Sequence, residues 1–64
     1  MKIVSFEAEG RNSFGVVTDG GIVDMAGRVA GATVAEDLLI PAFRVKAAQV
    51  CESATADFAL GDVA

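Results

Sequence analysis

The side chains able to do chemistry in this chain are nine carboxylates, a single thiol and a few hydroxyls, with no histidine among them. Clustered carboxylates hold divalent cations, and a pair of them can divide acid and base work. The spacing here answers neither description. Asp19 and Asp24 flank a short β-branched run, Glu36 and Asp37 are adjacent, and no segment follows the Asp-x-Asp-x-Asp-Gly pattern of a calcium loop. Asp19 is therefore expected in a turn, Glu36 as a helix-capping partner and Asp24 as a strand-end charge in solvent. Cys51 has no imidazole to draw off its proton and is expected as a small buried hydrophobe on a helix. Ser5, Ser13, Ser53, Thr18, Thr33 and Thr55 lack a base for the same reason. Lys2 and Lys46, the alternative nucleophiles, are expected in solvent at a strand head and on a helix flank. Gly20, Gly21, Gly27 and Gly31 fit neither the dinucleotide fingerprint nor a phosphate-binding loop. No catalytic, cofactor-binding or metal-ligating residue is assigned to this chain.

Composition narrows the class. The 64 residues hold 5 Lys and Arg against 9 Asp and Glu, a net charge of −4, and 53% of them are apolar. Such a chain makes one small domain of marginal stability, because a domain of about 60 residues buries only about 60% of the surface its unfolded form exposes. A calculated pI of about 4.4 puts the wrong sign on the surface for nucleic acid or an anionic membrane. The longest uncharged stretches, Asn12 to Thr18 and Val29 to Ala35, are 7 residues each, far short of a membrane span. Glu7 and Glu9 interrupt the apolar amino terminus before it makes a signal-peptide core. With one unpaired cysteine, these features point to the cytoplasm.

The elements that would position these groups form an α+β chain. Lys2 to Glu7 alternates with period two, placing Val4 and Phe6 on one face and Ser5 and Glu7 on the other. After a polar connector from Glu9 to Ser13, Phe14 to Thr18 and Gly21 to Met25 are a second and third strand joined by Asp19-Gly20. That dipeptide predicts a type I′ hairpin with Val17 facing Ile22 and Val16 facing Val23. A three-stranded antiparallel meander over about 2–7, 14–18 and 21–25 follows. Ala26 to Gly31 is expected to loop away from the sheet. Thr33-Val34-Ala35-Glu36 matches a capping box and opens a helix over about 34–40, with Val34, Leu38 and Leu39 turned inward. Pro41 ends that helix and serves as the first residue of another over about 41–53, whose stripe is Phe43, Ala47, Val50 and Cys51. Residues 57–64 are expected to be extended.

Taken in order, Met1-Lys2-Ile3-Val4-Ser5-Phe6, Phe14-Gly15-Val16-Val17-Thr18-Asp19-Gly20-Gly21-Ile22-Val23-Asp24-Met25, Thr33-Val34-Ala35-Glu36-Asp37-Leu38-Leu39 and Leu60-Gly61-Asp62-Val63 resemble the amino-terminal domain of the fumarylacetoacetate hydrolase family. The likeness spans nearly the whole chain and is strongest in the opening strand and the hairpin. It implies a parent that hydrolyses, isomerises or decarboxylates small oxo and enol acids, often from aromatic compounds. It further implies a divalent ion, usually Mg²⁺, held by acidic residues of a larger catalytic domain, and a homo-oligomeric, dimeric parent. No position here matches those ligands or the His/Glu pair of the hydrolases, so none is carried over.

Residues 1–64 are accordingly expected to be one non-catalytic domain, inactive alone, with 57–64 as the link toward a catalytic domain that it packs against. The alternative is a stand-alone interaction module that pairs through a sheet edge or through the Phe43 stripe.

Overall fold

Period-two alternation produces the expected meander. Lys2–Ala8 (β1), Arg11–Thr18 (β2) and Gly21–Asp24 (β3) pair antiparallel in the order β1-β2-β3 in a computed structural model that describes residues 1–63. Val16 faces Val23 and Val17 faces Ile22, as the two-residue loop dictates. The turn chemistry differs from expectation. Positive φ falls on Gly21 (133°) and on neither Asp19 nor Gly20, so this loop is not of type I′. The left-handed pair is instead Glu9 (φ 56°) and Gly10 (φ 79°). These two close β1 onto β2 with Ala8 facing Arg11, which shortens the expected connector and starts β2 at Arg11.

Cross-strand partners share a face, so the register sorts the apolar residues into two layers. On one side lie Phe14, Val16, Val23, Met25, Val29, Ala32, Leu38 and Ala47, with Ile3 and Phe43 packed against them. On the other lie Phe6, Ala8 and Ile22, covered in part by Val4, Val17, Phe58 and Val63. The Phe6 and Phe58 rings meet edge to face, with centroids 5.6 Å apart.

Past β3 the chain does not loop away. Met25 N–H donates to the Phe14 carbonyl at 2.9 Å, and Arg28 N–H and Ala32 N–H close short turns on Met25 and Val29. Met25 and Val29 are thereby buried under the sheet. The expected helix at 34–40 is a single 3-10 segment, Ala35–Leu39. Only Leu38 enters the core, whereas Val34 and Leu39 are exposed. The capping assignment also changes. Asp37, not Glu36, reaches back, accepting Thr33 N–H at 2.8 Å, Thr33 Oγ1–H at 3.2 Å and Val34 N–H at 3.3 Å. Those donors hold its carboxyl below the ordinary carboxylate range.

Pro41–Ser53 (α1) is the helix expected, with proline in its first turn, where a missing N–H costs nothing. Ala47 is buried, and Phe43, Val50 and Cys51 pack on the first layer. Burial pushes the Cys51 thiol up. The terminal segment is extended only in part. Phe58 bridges Ile22 antiparallel, and Leu60–Asp62 then coils into a 3-10 turn. Ala64 of the expected extension lies outside the described residues.

Candidate functional site

Two features gather polar side chains. One is a clamp at the outer edge of β3. Within β2, Arg11 and Ser13 share a face with Gly15, the residue that register sets opposite Asp24, and both side chains reach back along that face to its carboxylate. Arg11 Nη2 donates to Asp24 Oδ2 at 2.8 Å, Ser13 Oγ donates to Oδ1 at 2.7 Å, and Ala26 N–H donates to Oδ1 at 3.0 Å. Asp24 is thus not a solvated strand end: only 8% of it is exposed. Burial opposes its ionisation, but the hydrogen bonds from Arg11, Ser13 and Ala26 and the Arg11 charge prevail, and its carboxyl lies below the usual value.

The clamp continues into the terminal segment. Ile22 and Asp24 turn their backbone groups outward from β3. Ile22 exchanges hydrogen bonds with that segment, accepting from Asp57 N–H at 2.8 Å and donating to the Phe58 carbonyl at 2.8 Å. Asp24 N–H donates to Asp57 Oδ2 at 2.8 Å. Arg28 then grips Asp57 with two nitrogens, Nη1 to Oδ2 at 2.8 Å and Nη2 to Oδ1 at 3.0 Å, while Nη1 also reaches the Asp24 carbonyl at 3.2 Å. Sequence reasoning missed Arg11, Ser13, Arg28 and Asp57 as a group. The one available signal was the Arg11-x-Ser13 spacing, which puts both side chains on one face of the strand that pairs with β3.

The second feature is an open groove of ≈ 450 Å³ beside β1, lined among others by Ser5, Glu7, Asn12, Thr33 and Glu36. Its lining brings two carboxylates together and contains no Lys or Arg. That is the wrong sign for an acidic substrate. Asp19, Lys2 and Lys46 stay exposed, and Cys51 lies on α1 against the core, away from both features.

The donor set does not suit Mg²⁺. Every carboxylate oxygen of Asp24 and Asp57 already takes a guanidinium, hydroxyl or amide hydrogen, and a hard cation would have to displace one of these donors to reach them. Among the described residues, no three His, Cys, Asp or Glu side chains are grouped as a cation would need. Among them, too, no helix is long and apolar enough to cross a membrane. No family model, curated protein or solved structure matches the chain.

Proposed function

We propose that this chain is the non-catalytic amino-terminal domain of a cytoplasmic, divalent-metal-dependent enzyme of the fumarylacetoacetate hydrolase type, acting on small oxo or enol acids. The observation that carries the reading is the resemblance of Met1 to Phe6 and of the Phe14 to Met25 hairpin, quoted above residue by residue. Two structural features favour a supporting rather than a chemical role. Arg11, Ser13, Asp24, Arg28 and Asp57 are engaged with one another in an internal clamp, and the groove lining carries two carboxylates and no Lys or Arg. Apolar side chains also remain in solvent between Val34 and Val45: Val34, Leu39, Ile40 and Val45 are 47–62% exposed. That stretch offers a surface for a catalytic domain to cover. Any Mg²⁺ would belong to that domain.

The coding sequence downstream of Ala64 tests the reading. It is expected to run through a proline-containing linker into a domain rich in acidic ligands, and a stop codon directly after Ala64 would sink it. The isolated chain with Mg²⁺ and an acylpyruvate is expected to give no turnover.

A second reading, a stand-alone interaction module, is favoured by the outer edge of β1, with which no backbone group of the described residues pairs. The Phe43 stripe does not serve it, since α1 turns that stripe onto the core.

A further inference from the structure

The two edges of the sheet are treated differently. At β3, the terminal segment takes up the outward groups of Ile22 and Asp24. At β1, no backbone group of the described residues pairs with the outer side. Which β1 groups face outward follows from the turn. A two-residue turn at Glu9-Gly10 makes Ala8 and Arg11 its closing hydrogen-bonded pair, and such pairs recur every second residue along an antiparallel ladder. Ala8, Phe6, Val4 and Lys2 therefore spend their N–H and C=O groups on β2. Ile3, Ser5 and Glu7 direct theirs to the open edge. The bond from Met25 N–H to the Phe14 carbonyl agrees, because it shows the even residues of β2 turned toward β3 and the odd ones toward β1.

We propose that this edge pairs antiparallel with β1 of a second copy, about a two-fold axis through Ser5, to give one six-stranded sheet. The strand is self-complementary in that register. Ser5 meets the partner's Ser5 and Ile3 meets the partner's Glu7, and these are the odd residues whose backbone groups are free, so three consecutive pairs exchange main-chain hydrogen bonds. Between them Val4 falls opposite the partner's Phe6, twice. These are close, non-hydrogen-bonded pairs, and in each the half-buried Val4 is the side chain that gains cover, Phe6 being buried already. Both residues belong to the second apolar layer, so pairing joins the partly covered layers of the two copies. Lys2 falls opposite the partner's Ala8, so no two like charges face each other. The seven residues of β1 contain no proline or bulge to blunt the edge. This inference stands apart from the family resemblance and does not depend on it.

The test uses the full chain. Sedimentation velocity from about 10 µM to about 1 mM, the span in which small interfaces dissociate, is expected to show a monomer–dimer equilibrium. Ser5→Pro removes the outward N–H without breaking a β1–β2 hydrogen bond and is expected to raise the dimer dissociation constant 10-fold or more. Ser5→Cys in a Cys51→Ser background is expected to cross-link under mild oxidation, because opposed hydrogen-bonded residues have Cα atoms about 5.5 Å apart, within disulfide reach. Glu7→Cys in the same background is expected not to, since that register leaves the two residue-7 positions about 13 Å apart along the strands. Should Ser5→Pro fail to fold, the cross-linking pair decides alone. A wild-type chain monomeric throughout, a dimer that survives in folded Ser5→Pro, or cross-linking at position 7 as fast as at position 5 would each overturn the proposal.

Discussion

Asp57 Oδ2 accepts the backbone N–H of Asp24 at 2.8 Å across 33 residues of chain. A side chain there stands in for the next carbonyl of a fourth strand. Among the described residues the ladder between β3 and the terminal segment runs through Ile22 alone, and one carboxylate extends it by one residue. Arg28 neutralises that carboxylate and fixes its plane with two parallel bonds.

Replacing Asp57 by alanine should therefore loosen the segment without unfolding the meander. The Asp24 amide is expected to exchange with solvent about 10-fold faster, the equivalent of losing one hydrogen bond to a charged group. Site-resolved hydrogen exchange reads this directly. Unchanged protection of Asp24 would mean that the Ile22 to Phe58 bridge alone holds the segment.

Acid should weaken the fold through Asp24. Its folded carboxyl titrates below its unfolded value, so the stabilisation it provides is complete above that value, about pH 3.9, and disappears as pH falls through the lower, folded one. Asp37 contributes with the same sign. Urea melts across this range are expected to show a smaller acid loss for Asp24→Asn than for the wild type. At neutral pH the same variant is expected to be about 1–3 kcal/mol less stable, because the buried carboxylate loses its charge-assisted hydrogen bonds from Ser13, Ala26 and the half-exposed Arg11.

Glu9 is a poor residue for its place. It sits at φ 56° in the β1–β2 turn, where an L side chain other than Asn or Asp is strained. Glu9→Asn should stabilise the domain by about 0.5–1 kcal/mol, a rise of a few degrees in a calorimetric melting temperature for a chain of this size. An unchanged or lowered midpoint would show that the turn bears no such strain.

Leu38 and Leu39 should differ sharply. The first is fully buried between the 3-10 segment and the sheet, and the second is 62% exposed. Leu38→Ala is expected to cost about 2–5 kcal/mol, enough to unfold much of so small a domain at 25 °C by circular dichroism. Leu39→Ala is expected to stay within about 0.5 kcal/mol of the wild type.

That contrast also shows how far the sequence could be read. The strands of the meander and α1 were legible because each follows from a local rule: period two in Lys2 to Glu7, a two-residue loop at Asp19-Gly20, proline at the head of Pro41–Ser53. The segment around Leu38 was not. Thr33 to Glu36 has capping-box spacing, but with so short a segment the tighter 3-10 geometry lets the shorter Asp37 side chain reach the same amides. The clamp was hidden for a different reason. Arg11, Ser13 and Asp57 lie 13, 11 and 33 residues from Asp24, and only the assembled register makes them neighbours. Met25 and Val29 were hidden likewise, since nothing local in Ala26 to Gly31 announces that its turns fold back under β2.

The tether of residues 57 and 58 along β3 also bears on solubility. A sheet with two bare edges can recruit neighbours on both sides and grow without limit, which is how edge strands seed fibres. Here Asp57 and Phe58 cover one side, leaving, among the described residues, a valence of one. Strand addition at β1 would end at a closed pair, and freeing the Asp57 to Phe58 segment would turn a self-terminating unit into a polymerisable one.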